Sequence, residues 1–186
     1  MIAIMFRDRT QSGAALAAAA PELRRKSNTI VIGLARGGVE VAAEMSRLLD
    51  LPLDVMCVRK VPMPGYPELA MGAVAPMGER FTNRRVASLL SREQLDEAYD
   101  KATAEARAMD ERLRGGLPMM LIGRTAVLVD DGAATGASIR AAMAARIDAP
   151  VAAPSSTSTA VRPISIIGKP PRSRSSIARA SAVALS

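Results

Sequence analysis

The chain has 186 residues, a formal net charge of +7 and a hydrophobic content of 49%, values typical of a single soluble domain that can bury a core. It contains no histidine, which excludes Ser-His-Asp, Cys-His and histidine–zinc chemistry. The single cysteine, Cys57, excludes an internal disulfide, and its apolar neighbours predict a buried, inert thiol.

Charge and hydropathy limit the partners that this chain can have. No apolar run is long enough to span a bilayer, and charged residues 7–9 interrupt the N-terminal run, so we expect a cytoplasmic protein without a membrane partner. The basic excess lies in residues 147–186, where a solvated tail is commoner than a nucleic-acid arm, so we do not expect nucleic acid as a partner. The charged residues there are Asp148, Arg162, Lys169, Arg172, Arg174 and Arg179.

The first half of the chain alternates between helical and strand patterns. An alanine-rich segment before Pro21 predicts a helix, with Thr10 or Ser12 as its cap. Apolar runs predict buried strands over residues 29–34 and 53–58, and an amphipathic pattern predicts a helix over residues 39–49. Alternation of this kind indicates a parallel sheet with crossover helices.

A proline-rich stretch follows the second predicted strand. Residues 61–68 contain three prolines and a glycine and predict a loop, and residues 71–75 predict a short strand. Ser91 and Gln94 form a capping box before a long helical pattern that stops at two glycines, Gly115 and Gly116. A buried strand over residues 126–129 and a helix over residues 139–146 follow.

The strand over residues 126–129 leads into the most informative stretch of the chain. Two carboxylates, Asp130 and Asp131, stand at its carboxyl end, and only small residues follow before the next helix. Small residues let backbone N–H groups approach an anion, and the helix N-terminus adds positive charge. We therefore expect a phosphate-binding loop made of Gly132, Ala133, Ala134, Thr135, Gly136, Ala137 and Ser138.

This stretch resembles the phosphoribosyl-pyrophosphate-binding motif of type I phosphoribosyltransferases. The resemblance to the family covers about residues 5–146. Within the family, the chain resembles an uncharacterised bacterial subgroup of phosphoribosyltransferase-domain proteins. It implies a three-layer α/β, Rossmann-like fold with a parallel sheet. It also implies that Asp130 and Asp131 lie near the ribose hydroxyls as catalytic groups, while the small-residue loop binds the 5-phosphate. Carboxylates there would favour a positive, oxocarbenium-like ribosyl centre.

Two other strand ends carry candidate pyrophosphate ligands. Ala35, Arg36, Gly37 and Gly38 resemble the family's pyrophosphate loop, although a Gly-Gly before a helix is by itself only a tight turn. Arg59 and Lys60 end the next strand, where several family members place an Arg-Lys pair beneath a flexible loop; a solvated strand end is the alternative. The resemblance implies that this pair stabilises the departing phosphates and that residues 61–68 form a lid.

The resemblance implies an enzyme of nucleotide metabolism. It would bind Mg²⁺-phosphoribosyl pyrophosphate and transfer the phosphoribosyl group to a nitrogenous acceptor, releasing pyrophosphate. The substrate oxygens would hold most of the Mg²⁺, with Asp130 and Asp131 as the candidate protein ligands. The sequence does not identify the acceptor.

Residues 147–186 depart from the family pattern. They are rich in Ala, Ser, Pro and Arg and have no persistent period, so we expect a domain over residues 1–146 and a disordered or poorly folded tail. A frameshift or degenerate gene end is our hypothesis for this change. A fold that is incomplete at its C-terminal end would aggregate or form a homodimer. A non-catalytic sensor of phosphoribosyl pyrophosphate or nucleotides and an inactive truncated family member remain alternatives to the enzyme.

Overall fold

Strands and helices alternate in the computed structural model, which describes residues 6–117, 119, 121, 124–132, 137–147, 161–166 and 180–185. The chain divides into two compact units, residues 1–55, 119–133 and 151–186 in the first and residues 56–118 and 134–150 in the second. In chain order the elements are α1 (Arg9–Ala19), a 3-10 turn (Pro21–Leu23), β1 (Thr29–Ala35), α2 (Gly37–Leu49), β2 (Leu53–Cys57), β3 (Arg59–Met63), β4 (Tyr66–Val74), β5 (Arg80–Thr82), α3 (Arg84–Ala87), α4 (Arg92–Arg114), β6 (Thr125–Asp130), α5 (Ala137–Ile147), β7 (Val161–Ile166) and β8 (Ala180–Leu185).

The sheet of the first unit has the strand order β2-β1-β6-β8-β7. Its central pair, β1 and β6, is parallel, and the register runs from Thr29 opposite Thr125 to Gly33 opposite Val129. Both strands are continuous apolar runs with buried interiors, as the sequence predicted for a sheet that is covered on both faces. The predicted α/β fold with a parallel sheet is confirmed.

The core of the first unit joins its sheet to two helices. Val31 and Val127 on the sheet pack in one cluster with Leu16 of α1 and with Val41 and Met45 of α2, and all five side chains are fully buried. Removing any one of them to alanine would leave a cavity, which typically costs about 2–5 kcal/mol for a large aliphatic side chain. This packing holds α1 and α2 against the sheet.

The cap of α1 differs from the prediction. Asp8, not Thr10 or Ser12, caps the helix, and its Oδ1 accepts a hydrogen bond from the Gln11 backbone N–H at 2.7 Å. Ser12 is fully buried, and its Oγ donates to the Asp8 carbonyl oxygen at 3.0 Å. The apolar side chains of α1 must face the sheet, and this phase of the helix places Ser12 within its second turn instead of at its start.

The proline-rich stretch of the second unit is a β-hairpin, which corrects the prediction of a loop over residues 61–68. Strands β3 and β4 pair antiparallel around a turn in which Gly65 has a φ of +79°. Proline lacks a backbone donor and is therefore tolerated mainly on edge strands and at bulges. Pro62 satisfies both conditions, because β3 is an edge of the β3-β4-β5 sheet and the register shifts on either side of Pro62.

The long helix of the second unit begins and ends as predicted. The Ser91 Oγ accepts from the Gln94 N–H at 3.2 Å, and the Gln94 Oε1 accepts from the Ser91 N–H at 3.0 Å, which completes the capping box. Gly115 ends α4 with a φ of +61°, a conformation that costs glycine least. Tyr99 of α4 anchors the helix on β4 and β5, where its hydroxyl donates to the Phe81 carbonyl oxygen at 3.0 Å. Among the described helices none is long and apolar enough to cross a membrane.

Two strands lie in residues 147–186, where the sequence predicted a disordered or poorly folded tail. β8 pairs antiparallel with β6, from Ala126 opposite Leu185 to Asp130 opposite Ser181, and β7 pairs antiparallel with β8. A strand of Ala and Ser has no apolar period to reveal it, because ladder hydrogen bonds are formed by the backbone and depend on the neighbouring strand. The structure thus describes a strand in each of these two segments, and the expectation of a poorly folded tail stays a prediction. The domain boundary at residue 146 stays a prediction, and the other residues after 147 lie outside the described ones.

We expect the Cys57 thiol to be inert in the folded protein. Cys57 is fully buried at the end of β2, and burial, with the nearby Asp110 carboxylate, raises the pKa of its thiol to about 11. Because the thiolate is the reactive form, disulfide exchange with Ellman's reagent at pH 8 should be at least about 100-fold slower than in the unfolded chain. The same assay in guanidinium chloride serves as the control. Stoichiometric labelling of the folded protein within minutes would contradict this expectation.

Candidate active site

The two glycines that follow β1 lie against the carboxyl end of β6. A Cβ atom on Gly38 would stand 2.6 Å from the Val129 carbonyl oxygen and 2.9 Å from the Asp130 Cα. A Cβ on Gly37 would overlap the Asp131 carboxylate. The parallel pairing of β1 and β6 places the carboxyl ends of the two strands side by side. Only glycine, which has no Cβ, permits the two backbones to approach so closely there. The structure therefore brings together the two strand-end loops that the sequence placed at one edge of a sheet.

The first of these loops leads directly into α2. The peptide bond between Ala35 and Arg36 is cis, and α2 begins at Gly37 with Arg36 at the N-cap position. The Arg36 side chain is exposed, while Gly38 is buried. The first amide groups of a helix have no intrahelical acceptor, and the helix N-terminus carries partial positive charge. An oxyanion above this loop could accept hydrogen bonds from the amide groups of Gly37 and Gly38.

The second loop holds one carboxylate in a network with Arg9. Both Nη2 and Nε of Arg9 donate to the Asp131 Oδ2, at 2.9 and 3.3 Å, and its Nη1 lies 3.4 Å from each carboxylate oxygen of Glu40. The hydrogen bond to Asp131, followed by the charge of Glu40, raises the pKa of the Arg9 guanidinium, although burial opposes this shift. Arg9 therefore fixes the orientation of a carboxylate at the rim of the candidate site.

Sequence analysis missed Arg9. Arg9 is the first residue of α1, whereas the predicted cap at Thr10 or Ser12 would have left it outside the helix. The available signal was a capping aspartate, Asp8, directly before an alanine-rich helical pattern, which would have placed the next side chain at the helix N-terminus. Its partner is 122 residues away in sequence, so no local pattern indicates the contact.

The other members of the predicted phosphate loop are described only in part. Asp130 is half-buried, and its Oδ1 accepts from the Asp131 N–H at 2.9 Å. Gly132 follows in the first unit, whereas Ala137 and Ser138 belong to the first turn of α5 in the second unit. Ala133, Ala134, Thr135 and Gly136 lie outside the described residues. Binding of the 5-phosphate by this loop stays a prediction.

Arg59 and Lys60 are in the second unit, where they begin β3 instead of ending the strand before it. Successive side chains of a strand point to opposite faces, so the two cations do not lie side by side. The Arg59 Nη2 and Nε donate to the Glu105 Oε2 of α4 at 2.5 and 3.1 Å, and the Lys60 side chain is exposed. Their joint action on the departing phosphates stays a prediction.

Comparison with known proteins identifies the family to which this chain belongs. The family model described as "Phosphoribosyl transferase domain" matches residues 5–149, so the chain belongs to the phosphoribosyltransferase family. Within it, the chain is similar to two Mycobacterium tuberculosis proteins, "Putative phosphoribosyl transferase Rv0571c" of strain H37Rv and "Putative phosphoribosyl transferase MT0597" of strain CDC 1551. Each is 43% identical over 141 residues, which cover 74% of this chain and 32% of the relative. The chain thus spans about a third of the length of these relatives.

A solved structure shares the fold. The crystal structure of TT1426 from Thermus thermophilus has a TM-score of 0.61 and 41% sequence identity, over 77% of this chain and 69% of that chain. The suspected family of the sequence analysis is confirmed.

The ion pair between Arg9 and Asp131 should contribute measurably to folding stability. We expect a double-mutant cycle with Arg9→Gln and Asp131→Asn, followed by urea denaturation, to give a coupling energy of about 1 kcal/mol. The control cycle is Arg25→Gln with Asp50→Asn, because that pair has the same 2.9 Å separation but side chains that are 73% and 66% exposed, against 28% and 33%. Exposed pairs couple by less than about 0.5 kcal/mol in many proteins. Equal coupling in the two cycles would show that Arg9 does not hold Asp131.

Proposed function

We propose that this protein binds phosphoribosyl pyrophosphate with Mg²⁺ and transfers the phosphoribosyl group to a nitrogenous acceptor. In this reaction the bond between C1 of the ribose and the pyrophosphate oxygen breaks, and its electron pair leaves with pyrophosphate. A bond forms between C1 and the acceptor nitrogen, which loses its proton to solvent or to a base. The family membership supports the reaction class, while the donor, the metal and the acceptor belong to the proposal.

One observation carries the proposal: the glycine loop after β1 and the acidic rim after β6 are in contact. Donors for an oxyanion, the amides of Gly37 and Gly38, therefore lie beside acceptors for hydroxyl groups, Asp130 and Asp131. A sugar that carries both hydroxyls and phosphates matches this combination. Negative charge beside the ribose also stabilises the positive charge that develops at C1 as pyrophosphate departs.

The two acids also suit the proposed metal. Mg²⁺ prefers oxygen ligands and usually keeps several waters or substrate oxygens, so one or two protein carboxylates are enough. Among the described residues no group of three or more potential metal ligands occurs, which fits a metal that arrives with the substrate. Asp130 and Asp131 are the side chains that would contact it. When bound, Mg²⁺ would neutralise charge on the leaving pyrophosphate.

Calorimetric titration followed by a product assay tests the proposal. The full chain is titrated with phosphoribosyl pyrophosphate in the presence and absence of Mg²⁺, and pyrophosphate release is then measured against a panel of purine, pyrimidine and amine acceptors. We expect Mg²⁺-dependent binding and release with at least one acceptor. Binding without release from any acceptor would contradict transfer and support a sensor. Absence of binding would contradict both functions.

A further inference from the structure

A cleft of about 260 Å³ in the second unit has features that the proposed reaction does not use. Its lining combines two arginines, Arg84 and Arg140, with the polar side chains of Thr82 and Asn83 and the ring of Phe81. No carboxylate belongs to this lining, although acidic residues are common elsewhere in the unit. The cleft is therefore electropositive, and its size suits a small molecule or one chemical group of a larger ligand.

The two arginines of the cleft have no acidic partner among the described residues, unlike several other arginines of that part of the chain. Arg9, Arg25, Arg47, Arg59 and Arg80 each form an ion pair with a carboxylate. For Arg84 and Arg140 the described residues provide none. Within that same part of the chain, the Arg140 guanidinium stacks on the Phe81 ring, whose centroid is 5.0 Å from Cζ. This stacking orients the guanidinium but leaves its N–H groups available to an acceptor.

We propose that this cleft binds the oxyanion group, phosphate or carboxylate, of a small-molecule ligand. Guanidinium groups donate in a planar fork that matches both kinds of oxyanion, and two of them without acidic partners favour an anion over a neutral ligand. Ala137, which also lines the cleft, is a member of the predicted 5-phosphate loop. The oxyanion could thus come from a sugar phosphate or from an acidic acceptor, and the two sources require different probes.

Matched probes separate charge from shape. Titration calorimetry on the full chain uses ribose 5-phosphate against ribose for the sugar-phosphate source. It uses pyridine-3-carboxylate against pyridine-3-carboxamide for the acceptor source, and inorganic phosphate for the bare anion. No phosphoribosyl pyrophosphate is present, so the inference does not rest on the proposed transfer reaction and can fail separately from it. We expect one charged probe of a pair to bind and its neutral counterpart to bind at least about tenfold more weakly.

Three substitutions locate the binding. Arg84→Gln and Arg140→Gln should each raise the dissociation constant of the charged probe at least about tenfold, since each removes a charged donor. Arg140→Lys should recover part of the loss. The matched control is Arg85→Gln, which removes the same charge from the exposed neighbour of Arg84 outside the cleft and should change the constant less than about twofold.

Specific outcomes would overturn the inference. Unchanged affinity in both Arg84→Gln and Arg140→Gln would show that anions bind elsewhere, and an equal loss in Arg85→Gln would show that net charge alone matters. Thermal unfolding of each variant checks that it is folded. Because Arg140 also packs on Phe81, Arg84→Gln decides the result if Arg140→Gln unfolds.

Discussion

Replacing Asp131 with asparagine is expected to lower the turnover number about 10²–10³-fold with both substrates saturating, the range seen when one electrostatic group is removed from a transition state. The substitution keeps the size of the side chain and its capacity to accept a hydrogen bond from Arg9, but it removes the negative charge beside the ribose. Arg9 retains Glu40 as a partner, so its charge stays paired. Steady-state measurement of pyrophosphate release gives the turnover number and the Michaelis constant.

The control for this variant is Asp50→Asn, which makes the same change in an exposed aspartate that also pairs with an arginine. Asp50 has a φ of +54°, a conformation that asparagine adopts readily, so the control should fold normally and retain full turnover. An unchanged turnover number in Asp131→Asn would remove Asp131 from the transition state. A rise in the Michaelis constant alone would assign it to substrate binding.

Alanine at Gly38 is expected mainly to lower stability and alanine at Gly37 mainly to weaken donor binding, although the glycines are neighbours. At Gly38 the new Cβ meets the Val129 carbonyl oxygen and the Asp130 Cα, which are backbone atoms of a buried strand that cannot move aside. Overpacking of this kind typically costs about 1–3 kcal/mol. Urea denaturation should therefore show that Gly38→Ala lowers the free energy of unfolding by at least about 1 kcal/mol.

At Gly37 the new Cβ meets the end of the Asp131 side chain and the Arg9 guanidinium, which can both rotate away. We expect Gly37→Ala to lower the free energy of unfolding by less than about 1 kcal/mol, because alanine also favours the helix. Displacement of Asp131 should nevertheless weaken binding of phosphoribosyl pyrophosphate at least about tenfold, by calorimetry.

The two glycine variants control for each other, since they introduce the same methyl group one residue apart. Equal losses of stability in the two variants would contradict the expectation for Gly38, because the backbone at Val129 and Asp130 would then have moved to accommodate the new Cβ. Full donor affinity in a folded Gly37→Ala variant would separate the donor site from Asp131.

Local patterns predicted much of the fold. Buried apolar runs predicted β1 and β6, the capping box at Ser91 predicted the start of α4, and the paired glycines predicted its end. Such signals depend on residues within a few positions of each other, so they can be read without knowing the tertiary contacts. The hairpin of β3 and β4 was missed because proline usually breaks strands, and only its place at a sheet edge allows Pro62 there.

Local patterns also indicated part of the candidate site, and long-range contacts decided the rest. The sequence by itself determined the family and indicated two strand-end loops as the candidate site, because small residues and acids at the ends of apolar runs have a direct chemical meaning. The tertiary structure alone decided that Gly37 and Gly38 touch the acidic rim, that Arg9 holds Asp131 across 122 positions, and that β8 pairs with β6. These are long-range contacts, and they depend on how packed elements meet in space, which no local pattern of residues records.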